Sequence, residues 1–333
     1  MAEPVRWGVI GTGGIASSFA TDLALTDSGR LVAVGSRQQQ SADRFGDRFG
    51  IPNRHSTYQG LVEDPEVDVV YVATPHPMHL PDALLALEHG KPALVEKAFT
   101  MNASEARTLV DAARDKDLFL MEAMWTRFLP HMVEIRRLVE QGALGEIVTV
   151  TADFGRWFPP NPESRLFAPE LGGSALLDLG VYPVSFASML LGTPDRIEAI
   201  VEPSFTGVDG QVSMLFGYRH GAQAVLTCTS SATSPTRGTI VGTDAHIDID
   251  GNFYRPVGFT LVPRDGPPSR RDFPRPGRGL SHEADEVARC IRAGLLESPV
   301  MRLDESISIM QTLDAVLARS KRTTTETSFD LPV

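Results

Sequence analysis

Six residues, Gly11-Thr12-Gly13-Gly14-Ile15-Ala16, constrain this chain more than any others because they stand between a strand pattern and a helix pattern. Residues 5–10 read as a short strand, and residues 15–25 carry apolar side chains at helical spacing. Strand, glycine turn and helix in that order match G-x-G-x-x-G/A, the fingerprint of a dinucleotide-binding fold. Gly11 permits the tight turn, Gly13 lets a pyrophosphate approach the backbone, and Ala16 lets the helix sit close to the sheet. The first N–H groups of that helix lack intrahelical acceptors and suit a phosphate.

The same grammar continues. Residues 30–36, 67–73, 93–96 and 118–123 read as strands, and 41–49, 79–89 and 103–116 as helices. Short apolar strands alternating with helices predict a doubly wound parallel sheet of the Rossmann kind over residues 1–125. After Trp125 the pattern changes. A helix over 131–141, a strand over 146–154 and a helix over 175–191 precede strands over 196–202, 210–218, 222–230, 237–242, 245–250 and 258–262. Turns such as His220-Gly221 and Asp250-Gly251 predict a large, mostly antiparallel open sheet in an α+β domain over 126–333. Helical patterns over 281–294 and 303–320 are expected to pack back on the body of the molecule, the first domain being one candidate. Residues 264–279, rich in Pro, Gly and Arg, read as an exposed loop, and the Thr-rich stretch after Lys321 as a loosely held tail.

A length of 333 residues suits two domains, and 42% apolar with 22% charged residues is ordinary for a folded protein. The net charge of −11 argues against nucleic acid or an anionic membrane as partner. No apolar run is read as long enough to span a membrane, and a cytoplasmic location is expected. Cys228 and Cys290 show no ligand or disulfide spacing and are expected to be reduced and structural. The pair His76 and His79 has no Cys or acidic partner at a zinc spacing, so no metal is expected. Neither a nucleophile elbow nor a phosphate-binding Walker motif is present.

Ser36 and Arg37 close the second strand, where NAD enzymes commonly place a carboxylate for the ribose diol. A hydroxyl and a guanidinium can donate to a 2′-phosphate, so the sequence favours NADP(H) over NAD. Glu96-Lys97 ends the strand over 93–96, at the carboxyl edge where open α/β sheets bind ligands. In the later helix pattern, Asp178 and Tyr182 are four residues apart, which places them on one face of an α-helix.

The glycine turn, Thr74-Pro75 with His79, Glu96-Lys97 and Asp178-x-x-x-Tyr182 together resemble the glucose-fructose oxidoreductase and inositol dehydrogenase (Gfo/Idh/MocA) family across nearly the whole chain. Glu122-Ala-Met-Trp-Thr-Arg-Phe128 and Gly172 to Tyr182 are most similar to its dimeric dihydrodiol dehydrogenases and NADP-dependent D-xylose dehydrogenases. The resemblance implies catalytic roles for Lys97 and Tyr182, with Tyr182 as acid/base and Asp178 orienting the lysine or a substrate hydroxyl. A free tyrosine titrates near pH 10, and an ammonium stabilises its phenolate. Lys97 can also donate to the reacting oxygen. The implied cofactor contacts are Gly11 to Ala16, Ser36, Arg37, Thr74, Pro75, His76, His79, Glu96 and Lys97. Trp125, Phe154 and Trp157 are candidate pocket walls, while Arg127 and Arg165 could hold cofactor phosphates or substrate oxygens, or be ordinary surface charges. Two departures stand out: Ala98 where the family has proline, and His76 where it often has asparagine.

The expected function is therefore NADP(H)-dependent hydride transfer at a hydroxyl or carbonyl of a sugar, polyol or trans-dihydrodiol. The alternatives are a non-catalytic NADP(H) sensor and an imine- or biliverdin-type reductase. An open sheet needs its outer face covered, so a homodimer or homotetramer through that sheet is expected.

Overall fold

A computed structural model describes residues 3–274 and 276–323, with side chains up to Arg319. In chain order it has β1 (Val5–Ile10), α1 (Gly14–Leu23), β2 (Gly29–Gly35), α2 (Gln39–Phe49), β3 (Asn53–His55), α3 (Tyr58–Val62), β4 (Val69–Val72), α4 (His79–Glu88), β5 (Ala93–Glu96), α5 (Ala103–Asp115) and β6 (Leu120–Ala123). There follow α6 (Pro130–Glu140), β7 (Ile147–Gly155), α7 (Val181–Leu191), β8 (Arg196–Pro203), β9 (Asp209–Gly217), β10 (Gln223–Thr229), β11 (Gly238–Gly242), β12 (Ala245–Ile249), β13 (Gly258–Pro263), β14 (Ser269–Asp272), α8 (Ser281–Arg292) and α9 (Leu303–Thr323). The chain forms two compact units. The first joins residues up to Ile135 with Asp272–Ile307, and the second joins Arg136–Arg271 with the residues from Ser308 onward.

In the first unit six strands lie in the order β3-β2-β1-β4-β5-β6, all parallel. The order reverses between β1 and β4, the switch point at which such sheets bind dinucleotides. Strands β4, β5 and β6 are buried at every position, as crossover helices on both faces require. Helix α5 starts on a capping box: the Asn102 side chain accepts the Glu105 N–H at 2.9 Å, and the Glu105 carboxylate accepts the Met101 N–H at 3.1 Å.

The second unit carries an eight-stranded sheet in the order β14-β13-β12-β11-β7-β10-β9-β8, antiparallel from β13 to β8 except where β7 meets β10. Burial alternates along β9 and β10, and Val212, Met214, Phe216, Ala224, Leu226 and Cys228 point inward. Their neighbours in the strands face outward.

Five expectations change. Residues 50–66, read as neither strand nor helix, supply β3 and α3, strand β3 being too short to show a period. The stretch 264–279 contains β14, which extends the sheet beside β13. The helix over 175–191 is not one α-helix, because Leu176–Gly180 is a π-helical turn. Residues 169–191 are also apolar and long enough to cross a membrane by length and composition, although 78% of that window is buried here. Helix α9 continues to Thr323, and the rest of the expected tail lies outside the described residues.

Candidate active site

The glycine turn is shaped by contacts that only glycine tolerates. Gly11 has φ +99°, and a Cβ there would lie 3.0 Å from the Ala73 carbonyl oxygen. Gly13, extended, caps α1 and its carbonyl accepts the Ser17 N–H at 3.0 Å. Nothing stands within 4 Å of the Cβ position at Gly13 or Gly14. Thr12 and Ile15 are half-buried beside these two exposed glycines, while Ala16 is fully buried against the sheet. A helix N-terminus whose first N–H groups face open space is an anion site by construction.

Ser36 follows β2 and donates its N–H to the His55 carbonyl, leaving Arg37 exposed beyond it. The Arg37 charge acts on two neighbours, Tyr58 and Asp82. Burial pushes the Asp82 carboxyl up to about 6, and the Thr74 hydroxyl, donating at 2.7 Å, and Arg37 pull it partly back. Neither Tyr58 nor Asp82 belongs to a recognisable motif, and sequence reading missed both.

Lys97 leaves the carboxyl end of β5, on the same edge as the glycine turn. Its N–H donates to the Glu96 carboxylate at 3.2 Å, and that carboxylate also accepts the Tyr71 hydroxyl. The peptide joining Lys97 to Ala98 is cis. The His79 ring spans two carbonyls at 2.9 Å, Ala98 through Nδ1 and Thr74 through Nε2. Burial, against the pull of the backbone bonds and with a smaller push from Lys97, brings His79 down to about 4. Glu96 and His79, expected among the cofactor contacts, make these contacts with the loop that carries Lys97. His76 is buried with its ring edge-on to His79, 5.4 Å between centroids.

Trp125 and Arg127 belong to this first unit and are buried, and the Arg127 guanidinium pairs with Glu305 at 2.7 Å.

In the second unit, Asp178 lies in the π-helical turn and Tyr182 in the first turn of α7, so their four-residue step does not stack them as in a continuous α-helix. Close approach accompanies the wider turn: a Cβ on Gly180 would meet Leu176 at 2.7 Å and the Cys228 sulfur at 2.8 Å. The buried Asp178 carboxylate takes a two-pronged bond from Arg165, at 3.0 and 3.2 Å. Tyr182 is 8% exposed and sits in an aromatic cluster with Phe154 and Tyr254, at centroid distances of 5.4 and 5.3 Å. Tyr254 lies two residues after Asn252, which has φ +60°, and no sequence signal marked it. Trp157 is 56% exposed and stands outside this cluster. Among the described residues no group of three or more His, Cys, Asp or Glu could hold a metal. Cys228 and Cys290 are buried and free, and burial pushes the Cys290 thiol up to about 12.

Sheet order, switch point and open glycine turn define a dinucleotide-binding Rossmann protein. Comparison with known proteins gives the same class: residues 5–124 match the oxidoreductase family with an NAD-binding Rossmann fold, and residues 132–248 match the GFO/IDH/MocA C-terminal domain. The chain belongs to the GFO/IDH/MocA family of oxidoreductases. A trans-1,2-dihydrobenzene-1,2-diol dehydrogenase of Mus musculus is 37% identical over 324 residues, covering 93% of this chain and 95% of the relative. A D-xylose 1-dehydrogenase (NADP(+)) of Hypocrea jecorina is 36% identical, covering 94% and 91%. Among solved structures, a 3-ketoreductase from Actinomadura kijaniata in complex with NADP superposes with a TM-score of 0.82 at 27% identity, covering 95% of this chain and 97% of that one. An aldose-aldose oxidoreductase from Caulobacter crescentus, covering 96% and 98%, shares the fold with a TM-score of 0.88 at 24% identity.

Proposed function

We propose that the protein is an NADP(H)-dependent dehydrogenase or reductase acting at a hydroxyl or carbonyl of a sugar, polyol or trans-dihydrodiol. The observation that carries this reading is the carboxyl edge of the parallel sheet, which presents the open glycine turn, Ser36-Arg37, Thr74 and Lys97. The residues present fit a dinucleotide, since a turn with no atom near Gly13 or Gly14 leaves room for a pyrophosphate on the start of α1. Ser36 and the exposed Arg37 offer donors to a 2′-phosphate, where a carboxylate would repel it. The relatives named for NADP, a xylose dehydrogenase and a ketoreductase, support the same choice.

When bound, the nicotinamide supplies a hydride acceptor in one direction and a hydride donor in the other. Tyr182 takes the substrate hydroxyl proton during oxidation and returns one during reduction. Lys97 donates to the reacting oxygen as charge develops on it. Asp178 fixes Arg165, whose guanidinium is half exposed and suited to substrate oxygens. Phe154 and Tyr254 give Tyr182 apolar walls that keep water from its ring.

The test is cofactor reduction with NADP⁺ and NAD⁺ against a panel of D-xylose, D-glucose, myo-inositol and trans-dihydrodiols, followed by absorbance of the reduced nicotinamide. Turnover with NADP⁺ is expected on at least one of them. In Lys97→Met, kcat should fall by roughly 10²- to 10⁴-fold, the range for a positioned proton-transfer group, while NADPH still binds. An unchanged rate would overturn the mechanism. Arg37→Glu should raise the KM for NADP⁺ by about tenfold or more and leave kcat nearly intact, as loss of a charge-assisted bond to a phosphate predicts. NADPH binding without turnover on any substrate would favour a sensor.

The outward face of the eight-stranded sheet is the proposed contact with a second copy of the chain. Ile200, Leu215, Val225 and Val241 are between 37% and 61% exposed and lie among Thr149, Thr151, Ser213, Thr227 and Thr239. Such a face carries enough apolar surface to associate, with Arg196, Glu198, Glu202 and Asp248 as the charges around it.

A further inference from the structure

Asp153 and Phe154 are neighbours on β7, so their side chains leave opposite faces of the sheet. Phe154 joins the aromatic cluster around Tyr182. Asp153 is half-buried, belongs to no motif and gathers the loop between β10 and β11. Its Oδ1 accepts the Arg237 N–H at 2.8 Å, and its Oδ2 accepts the Thr236 N–H at 2.8 Å and the Ser234 hydroxyl. The Arg237 carbonyl accepts the Asp153 N–H in return, at 3.0 Å. Ser234 is tied to the same strand a second time: its hydroxyl accepts the Gly155 N–H at 2.7 Å, and its own N–H donates to the Gly155 carbonyl at 3.1 Å. Thr236 sits at φ +51°, a left-handed conformation that a β-branched residue rarely takes. The Asp153 carboxyl, accepting this N–H and the next, holds the chain there. The Thr236 carbonyl accepts the Phe253 N–H at 2.9 Å. Phe253 and Tyr254 lie along α7, with ring centroids 5.5 Å from Phe186 and 5.3 Å from Tyr182, one helical turn apart. Tyr254 is also stacked on Phe154 at 4.6 Å. A chain of hydrogen bonds therefore runs from Asp153 through Thr236 to the backbone that carries Tyr254.

Resting on the reading of Tyr182 as the acid/base, we propose that Asp153 is a positioning residue: by fixing residues 234–237 it sets the place of Tyr254 and, through that ring, the place of Tyr182. Ring contacts alone leave freedom, because offset and tilted arrangements are both favourable. The bond from Phe253 to Thr236 removes that freedom by locating the backbone on which Tyr254 stands. A carboxylate suits the task, since both its oxygens accept and three donors converge on them here. Asparagine would turn an N–H₂ group toward at least one of those donors.

Two readouts test this. Fluorine NMR of the protein carrying 3-fluorotyrosine at its five tyrosines, each resonance assigned by its Phe variant, needs no turnover. Asp153→Ala should move the Tyr182 and Tyr254 resonances and leave Tyr58, Tyr71 and Tyr218 in place. An unmoved Tyr182 would overturn the proposal. So would a shift of Tyr218, which belongs to the same unit, because that would mark general loosening. Kinetics then ask whether the placement matters. On a substrate that the wild type turns over, Asp153→Ala should lower kcat about tenfold or more and keep the Kd for NADPH within about twofold, as a misplaced proton-transfer group predicts. Equal kcat in wild type and variant would sink the positioning role. Should Asp153→Ala not fold, Ser234→Ala removes one of the three donors and should move the same two resonances by less; no movement counts against the proposal. A wrong reaction shows as a wild type without turnover whose resonances still respond to the variant, and a wrong positioning role as an active wild type whose resonances do not.

Discussion

The two sheets solve burial in opposite ways. In β4, β5 and β6 every residue is buried, whereas in β9 and β10 buried and exposed residues alternate. The parallel sheet has no solvent face to spare, so any polar group placed on it must be held by the protein itself. Tyr71 and Glu96 show this: both lie on its inner strands, the Tyr71 hydroxyl donates to the Glu96 carboxylate, and each is at most 4% exposed. In the open sheet the polar residues turn outward, and Thr, Ser and Gln reach water at no cost in buried hydrogen bonds. Chemistry that needs shifted acids and a dry loop belongs to the first arrangement, and surface that can meet another chain belongs to the second.

The largest effect that would break this contrast is a charge on the parallel sheet. Val70→Asp, at a fully buried position in β4, should destabilise the protein by about 4 kcal/mol or more, measured by urea unfolding. A loss under about 1 kcal/mol would mean that one face of the strand can reach water.

A second prediction concerns Glu122, which burial pushes up to about 7 against the pull of Ser306 and Arg127. Its folded form holds a proton that the unfolded chain releases above the ordinary value of 4.5. Stability from this group is therefore full below that value and falls as pH rises toward 7, by up to about 3 kcal/mol. His79 works in the opposite sense. Held neutral down to about 4, it contributes stability above its ordinary 6.5 that is lost as pH falls. Thermal melts of Glu122→Gln minus wild type across this range isolate the first effect, and a flat difference would remove it.

The smallest effect on stability sharpens the contrast from the other side. Leu215→Lys, on the outward face of β9, should change monomer stability by no more than about 0.5 kcal/mol. Light scattering should nevertheless show a shift toward the monomer, because the new charge would be buried in the proposed contact. A wild type already monomeric at working concentration would refute that contact.

How much of this was legible follows the same division. The glycine turn and the β-α alternation sit in short segments whose spacing fixes the fold, so the turn at Gly11 to Ala16 and the strand end at Glu96-Lys97 were readable in place. Strand β3 has only three residues and no period to detect. The π-helical turn at 176–180 comes from close packing of Gly180 against Leu176 and Cys228, and a local pattern of apolar residues does not distinguish it from α-helix. Tyr254 and Asp153 owe their places to contacts far along the chain, and an isolated Tyr or Asp looks like any surface residue until those contacts are known. Glu96 and His79 were visible as motif residues, but their contacts with Tyr71, Thr74 and Ala98 come from the fold and not from the motif.

The return of residues 272–307 to the first unit sets an order of events for a chain made from its amino end. Asp22 waits for Arg278 to Leu280, Thr26 for Asp285, the carbonyls of Glu3 and Ser28 for Arg292, and the Leu120 N–H for Leu296. While the open sheet is still being synthesised, the dinucleotide-binding unit leaves the ribosome with its Asp22 carboxylate unanswered and α1 without the helix that packs on it. A ribosome stalled near residue 271 would hold a sheet and a glycine turn without their last helix, so the emergence of α8 times the moment at which this unit can close.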